Sequence, residues 1–362
     1  MVLRCLLAGI LVLVLSGVFA QDKFSDNLRI MVNYHYGFTL PEYTFVSHVA
    51  NDNVQGFEVA LMKERYGRDE FEQAYGYPEN GVSLFFTSLG NNDALGQAVA
   101  VNYLFRLHFV SRPHFRVFNR MGIGLGYLTK THHLTQNPMN VAIGSRLNIH
   151  YNCRLGMIYI LDRLAFNGGV TFDHFSNGNT AEPNIGLNYV SFYLGSNFRI
   201  GDKVERVQHE LEKHKKTFYG EVIYSIGGKH TRAFTSDYYV TPSLAGEAGF
   251  SVRRGIHLGA GVDVFYDSSI KTQLEDLDKE YKPHDSFQTG IHLSQTIAYR
   301  KFRFTLQEGF YLGLTDPINR KPLYNRGILK YYVNDNWSVR IAMKSHLHIL
   351  DYPEIGVGYI FK

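Results

Sequence analysis

The feature that most constrains the fold is a two-residue alternation of apolar and polar side chains that recurs in short segments along the chain. In residues 337–344, Trp, Val, Ile and Met alternate with Ser, Arg, Ala and Lys, and residues 302–307 show the same pattern. Successive side chains of a β-strand point to opposite faces, so each segment forms a strand with one apolar and one polar face. The sequence therefore predicts an all-β protein.

Composition indicates which kind of all-β protein this is. The chain has 25 Tyr, 26 Phe and 34 Gly but one Trp, and after residue 20 it has no apolar run long enough for a membrane helix. Aromatic-rich, alternating segments are typical of an antiparallel transmembrane β-barrel of the outer membrane. The alternative is a soluble secreted β-protein. Lys and Arg total 37 against 33 Asp and Glu, without a basic block, so we expect no nucleic-acid partner.

Residues 1–20 have the pattern of a cleaved signal peptide. Arg4 precedes an apolar run over residues 5–15, and small residues lead to a cleavage site between Ala20 and Gln21. The run is too short for a confident membrane span. Cys153 is then the one cysteine of the mature chain, which excludes an internal disulfide.

Roughly 14–16 strands are expected, since single-sequence strand counts are easily off by about two. The predicted starts are residues 28, 55, 81, 94, 115, 141, 164, 185, 218, 238, 256, 286, 302, 323, 337 and 354. Short connections, as at residues 111–113 and 253–255, alternate with long ones, as at residues 129–140 and 266–285. In an outer-membrane barrel the short turns are periplasmic and the long loops extracellular. Residues 65–80 are an exception, being long on the predicted periplasmic side.

Residues 201–216 interrupt the alternation with a dense run of charges. Val204, Val207 and Leu211 have helical spacing, which predicts a periplasmic linker or short amphipathic helix. We interpret residues 21–200 as the half of one barrel that carries the active site, and residues 217–362 as its remaining strands. The alternative is that the segment links two smaller barrels.

A candidate catalytic pair lies at residues 171–179, where a strand ends. His174 and Ser176 share a face and lie about 6–7 Å apart along the strand, so the imidazole can lean towards the hydroxyl. Phe166, Val170 and Phe172 fall on the same face. This pattern indicates a hydrolase that works against an apolar surface. The alternative is a plain turn, because Ser-Asn-Gly-Asn is also good turn chemistry.

His174-Phe-Ser-Asn-Gly178, followed by Pro183-Asn-Ile-Gly-Leu-Asn188, resembles the lipid A 3-O-deacylases of the PagL type. That family consists of outer-membrane barrels that remove an ester-linked acyl chain from lipopolysaccharide, using His and Ser on the lipid-facing outer wall. Related sequences are often labelled acyloxyacyl hydrolases. The resemblance covers residues 56–198, and the second half has no counterpart in the short eight-stranded members. It implies lipid A or lipopolysaccharide as substrate and the outer membrane of a Gram-negative bacterium as location.

Carried over residue by residue, the resemblance makes Ser176 the nucleophile and His174 the general base. Asn177 and Gly178 correspond to the residues that stabilise the oxyanion. Asn188 stands where the family has its orienting glutamate. An asparagine can hold an imidazole in one tautomer, but it supplies no negative charge.

Two carboxylates are considered in place of the missing glutamate. Glu182 lies in the loop and could fold back to act as the acid, whereas strand parity turns Asp173 away from His174. Asn188 shares a face with Val190, Phe192 and Leu194, an apolar stripe. On this parity the site residues meet outside the barrel wall.

We expect neither a cofactor nor a metal site. His132-His133 and the pair His346 and His348 each lack a nearby third ligand. The near-terminal aromatic strand, residues 358–361, resembles the end that the barrel-assembly machinery recognises, although Lys362 displaces the usual final aromatic. The competing hypothesis for function is a non-catalytic barrel, either porin-like or an adhesion or structural protein.

Overall fold

The computed structural model describes residues 25–41, 44–178, 180–208, 210–211, 213–231, 237–318, 322–346 and 349–361. The predicted signal peptide lies outside these residues. Eight strands precede residue 200, namely β1 Leu28–Leu40, β2 Val54–Glu64, β3 Glu79–Ser88, β4 Gln97–Ser111, β5 Phe115–Leu128, β6 Leu147–Leu161, β7 Leu164–Ser176 and β8 Leu187–Arg199. Eight follow it, namely β9 Phe218–Lys229, β10 Tyr239–Arg253, β11 Ile256–Tyr266, β12 Phe287–Tyr299, β13 Phe302–Tyr311, β14 Leu323–Tyr332, β15 Trp337–His346 and β16 Ile349–Phe361.

The strands form two closed antiparallel barrels, each with eight strands. In the first barrel β1 pairs with β8, and Arg29 lies opposite Arg199. In the second barrel β9 pairs with both β10 and β16. The all-β barrel class is confirmed, but the interpretation as two halves of one barrel is wrong. The alternation indicates which face each side chain takes but not which strands pair to close the sheet. One large barrel and two smaller barrels are therefore equally consistent with the sequence.

Most strand starts lie within three residues of those predicted, and two differ more. β6 begins at Leu147 because the residues before it form a loop in which Ile143 makes an isolated bridge to Asn184. β16 begins at Ile349, and Pro353 lies within it opposite Met343. Proline cannot donate to a strand ladder, which hid the first part of this strand in the sequence.

Ion pairs fill the interior of both barrels. In the first, the Glu58 carboxylate receives hydrogen bonds from Arg120 at 2.7 Å and Arg154 at 2.8 Å. In the second, Arg326 lies 2.7 Å from Asp263 and 3.0 Å from Glu354. All six side chains are almost fully buried. Charges removed from water require such pairing, so the polar faces of the strands form packed cores.

The linker at residues 201–216 has no helix among its described residues. It adheres to the end of the first barrel, where the Val204 N–H donates to Asn27 Oδ1 at 2.9 Å and the Val207 N–H donates to the Tyr66 carbonyl at 2.7 Å. Short helices occur at α1 Thr44–Val49, α2 Glu70–Ala74 and α3 Ile270–Asp276, with a 3₁₀ turn at Pro283–Ser286. Within the described ranges, no helix has the length and apolar character to cross a membrane.

The long connection at residues 65–78 joins the two barrels. The Tyr75 hydroxyl, just after α2, donates to the carbonyls of Gly255 at 2.8 Å and Ala298 at 2.6 Å, both in the second barrel. Arg300, in the turn after β12, pairs with Asp69 at 2.6 Å and Glu72 at 3.2 Å. These contacts account for the length of this connection on the predicted periplasmic side, since it reaches the neighbouring barrel.

Candidate active site

Strand pairing positions the candidate catalytic residues. β7 and β8 are antiparallel neighbours, and their register sets His174 directly opposite Asn188. Asp173 points into the barrel, where its carboxylate lies 3.2 Å from His150 Nε2 and accepts a hydrogen bond from the Thr171 hydroxyl at 3.0 Å. Because faces alternate along a strand, His174 and Ser176 lie on the outward face. Asp173 is therefore unavailable as a partner for His174.

Among the described residues, the outward imidazole has one side-chain hydrogen-bond partner. His174 Nδ1 lies 2.6 Å from Asn188 Oδ1. An amide oxygen only accepts hydrogen bonds, so Nδ1 carries the proton in this arrangement and Nε2 has a free lone pair. This is the tautomer that a general base requires.

Ser176 ends β7 on the same face, two residues beyond His174. Its side chain is 7% exposed. Among the described residues its hydroxyl makes no hydrogen bond, to His174 or to any other group. Catalytic hydrogen bonds are often long in the absence of substrate, so this geometry is compatible with a nucleophile that is not yet engaged.

The loop after Ser176 is ordered by Asn177. The Asn177 N–H donates to Asn184 Oδ1 at 3.0 Å, and its side-chain amide donates to the Ala181 carbonyl at 2.7 Å. Asn177 Oδ1 accepts from the Thr180 N–H at 3.1 Å. Both donors that the resemblance assigned to the oxyanion at this residue are thus engaged within the loop.

Gly178 offers the other expected donor. Its φ of 68° lies in the left-handed region that favours glycine, and its N–H has no hydrogen bond in the part of the chain that the structure describes. The Gly178 N–H is therefore available to a ligand, in contrast to the donors of Asn177.

The Pro183-Asn-Ile-Gly186 segment has structural roles that the sequence reasoning did not assign. Asn184 holds the Asn177 N–H, and Ile143 and Asn184 form a bridge between two loops. Gly186 packs against the imidazole: a Cβ there would lie 2.9 Å from His174 Cε1, and its φ of 83° also favours glycine. The motif itself was the available signal, because glycine and asparagine at fixed offsets mark close approach and loop capping.

Glu182 does not contact His174. Its carboxylate accepts the Asn184 N–H at 3.2 Å, within its own loop. Burial raises the pKa of the Glu182 carboxyl, and the Asn184 N–H and the nearby His230 oppose this only in part. Of the two candidates for the third position, the structure brings Asn188 to His174 and leaves Glu182 apart from it.

The described histidines of the other two sequence pairs have partners of their own. His132 Nδ1 contacts the Asn140 carbonyl at 3.2 Å, and His346 Nε2 lies 2.9 Å from the Tyr311 hydroxyl. His348 lies outside the described residues. Within the described ranges no group of three or more His, Cys, Asp or Glu is arranged to hold a metal ion.

Family models match each barrel separately. The model described as lipid A 3-O-deacylase (PagL) matches residues 55–197, which run from β2 to β8. The model described as acyloxyacyl hydrolase, C-terminal domain, matches residues 218–362, which form β9 to β16. The two matches define an outer-membrane β-barrel of the ester hydrolase class. The chain belongs to the lipid A 3-O-deacylase family, in the branch with an acyloxyacyl hydrolase C-terminal domain, and its location is the Gram-negative outer membrane.

Two solved structures are also similar to part of this chain. The crystal structure of the outer membrane enzyme PagL is 16% identical, covers 46% of this chain and 97% of its own, and has a TM-score of 0.33. That of Neisserial surface protein A is 9% identical, covers 48% of this chain and 97% of its own, and has a TM-score of 0.32. No curated protein matches the chain.

Proposed function

We propose that the protein is a serine esterase that removes an ester-linked acyl chain from lipid A or lipopolysaccharide, with Ser176 and His174 on the lipid-facing outer wall. The observation that carries the proposal is the 2.6 Å contact between His174 Nδ1 and Asn188 Oδ1, on the face that also bears Ser176. This contact leaves Nε2 as the basic nitrogen on the outward face.

The first chemical step is acyl transfer to the serine. His174 Nε2 takes the Ser176 proton while Oγ attacks the ester carbonyl, and the imidazole becomes positively charged. Asn188 Oδ1 keeps accepting from Nδ1–H and holds the ring in place. The Gly178 N–H donates to the oxyanion that forms.

The second step releases the products. The tetrahedral intermediate collapses as His174 returns its proton to the sugar oxygen, which leaves as the alcohol. Water then attacks the acyl-serine with His174 again as base, and the fatty acid departs. Asn188 lacks the negative charge of the usual third residue, so we expect a slower enzyme than one with a carboxylate there.

The outer surface supports a lipid substrate. Below the site, Phe166 is 50% exposed, Phe192 is 67% exposed and Leu194 is 73% exposed, all outside the barrel. An outward apolar band on a transmembrane barrel contacts acyl chains. The site lies at the end of the barrel opposite Leu28 and Arg199, the first and last residues of its strands. We expect this end to lie at the level of the ester groups of an outer-leaflet lipid.

Mass spectrometry of lipid A after incubation with the purified protein tests this proposal. We expect loss of an ester-linked acyl chain with the native protein and no loss with Ser176→Ala. Ser196→Ala is the matched control, because Ser196 lies on the same outward face in β8, away from the site. Unchanged deacylation by Ser176→Ala would remove the esterase function from this site.

The porin-like alternative has no comparable support. Ion pairs such as Glu58–Arg120 and Asp263–Arg326 cross the interiors of both barrels. An aqueous channel requires a wider, unpaired polar lumen.

A further inference from the structure

The outer surface of the first barrel becomes covered towards the candidate active site. Along β7 the exposed fraction falls from 50% at Phe166 to 7% at Ser176. Along β8 it falls from 73% at Leu194 to a half-buried Asn188. On the neighbouring β6, Met157 is exposed and Ile149, opposite Ser176, is half-buried, whereas Leu147 at the start of the strand is 50% exposed. An outward face that loses exposure in this way has something packed over it.

Part of that cover comes from the second barrel. A Cβ on Gly178 would lie 3.3 Å from Met343 Cε and 3.9 Å from Ile149 Cδ1. Met343 lies on the outward face of β15, so methyl groups from both barrels approach the same point beside the site. β15 loses exposure in the same direction, from 54% at Ile341 to a half-buried Met343.

The two barrels are also in contact at their other end, away from the candidate active site. Tyr75 and Arg300 join them on the predicted periplasmic side, and the rings of Phe105 and Tyr299 lie 5.8 Å apart. Both barrels run in the same direction, since every odd-numbered strand starts at this end. The barrels therefore contact each other at two levels.

We propose that the second barrel forms the opposing wall of an acyl-chain cleft, with Met343 as a contact that determines which chain length reaches Ser176. The inference rests on the proposed esterase function. A single outer wall leaves one side of a bound acyl chain among bulk lipid, whose tails offer no selectivity. A second wall fixes the space beside the ester. Methionine suits this place because its unbranched thioether packs against flexible apolar partners.

The test compares substitutions at Met343 with the same substitutions at Ile341. Ile341 is the next outward residue of β15 away from the site and is exposed, so it is the matched control. The variants are Met343→Ala, Met343→Trp, Ile341→Ala and Ile341→Trp. Two substrates are used: lipid A, with the released fatty acids resolved by length, and a short-chain p-nitrophenyl ester, which needs only the catalytic residues.

We expect Met343→Trp to slow release of long acyl chains by about tenfold, the selectivity that a small change in an apolar pocket produces. Met343→Ala should shift the released fatty acids towards longer or bulkier chains. Both variants should change long-chain release more than short-ester hydrolysis, and the Ile341 variants should match the native protein on both substrates.

Three outcomes would overturn the cleft. They are unchanged chain selectivity in both Met343 variants, equal effects at Ile341, and equal losses on both substrates in protein whose thermal unfolding is native. Each of these leaves the esterase itself intact, as long as Ser176→Ala is inactive. Activity in Ser176→Ala would instead refute the proposed function, so the two failures are distinguishable.

Discussion

The seventh strands of the two barrels present closely matched surfaces with different chemistry. On β7 the last outward residues are His174 and Ser176, and on β15 they are Met343 and Ser345. Each serine is thus the last outward residue of its strand, and the preceding outward residue is His174 in β7 and Met343 in β15. Only the first barrel has an imidazole there. Across the ladder His174 meets Asn188, whereas Met343 meets Pro353.

The difference shows what the barrel supplies and what it does not. Both frames bring a serine to the end of an apolar outer wall, and both are held by buried ion pairs. A serine alone is a weak nucleophile and needs an adjacent base and a group that orients the base. In the first barrel the proposal gives these roles to His174 and Asn188, and among the described residues of β15 no imidazole shares the outward face of Ser345. We therefore assign the chemistry to the first barrel and a binding surface to the second.

The largest expected effect comes from a substitution that makes β7 resemble β15. His174→Met should reduce lipid A deacylation to background, because general base catalysis is worth about 10²–10⁴-fold and Ser176 would keep its proton. Ser345→Ala in the second barrel should leave deacylation unchanged. Appreciable activity in His174→Met, or a loss in Ser345→Ala, would break the assignment of chemistry to one barrel.

A charge on the outer wall should be costly in either barrel. Val170 lies four residues before His174, and Val339 lies four before Met343; they are 37% and 45% exposed. Val170→Lys and Val339→Lys should each destabilise the folded barrel by about 2–4 kcal/mol if the positions lie near the bilayer midplane. Denaturant unfolding in lipid vesicles measures this. A neutral result at one position alone would mean that only the other barrel faces lipid there.

Substitutions at Asn188, the proposed orienting residue, should have a smaller effect on turnover. Asn188→Asp keeps the length of the side chain that reaches His174 and adds the missing charge, so turnover should be retained or increase. In a serine protease triad the reverse change, Asp to Asn, costs about 10⁴-fold in turnover. The family residue, introduced as Asn188→Glu, should likewise retain or raise turnover.

Asn188→Leu is the control for the orienting role. It removes the acceptor for Nδ1–H and should lower kcat more than KM. A rate in Asn188→Leu equal to that of the native protein would show that the 2.6 Å contact does not contribute to turnover.

Strand parity carried most of what could be predicted from the sequence. It placed His174, Ser176 and Asn188 on one face and turned Asp173 inward, because side chains alternate strictly along a strand. Parity carries no information on which strand closes a sheet, so two barrels and one barrel have the same alternation. Strand parity also carries no information on contacts between barrels, so the sequence did not predict that Met343 lies beside the site. The engaged donors of Asn177 depend on loop hydrogen bonds that local sequence does not determine.

The smallest expected effect concerns Glu182, the other candidate for the third position. Its carboxylate caps the Asn184 N–H and has no contact with His174, so Glu182→Ala should change lipid A deacylation by no more than about twofold, the scale of a surface substitution of about 0.5 kcal/mol. Glu182→Gln keeps an oxygen for the Asn184 N–H and should match the native rate. A large loss in both variants would make Glu182 the acid that acts on His174, through a loop movement towards the ring. A loss in Glu182→Ala alone would assign it to holding Asn184, and through Asn184 the turn that carries Gly178.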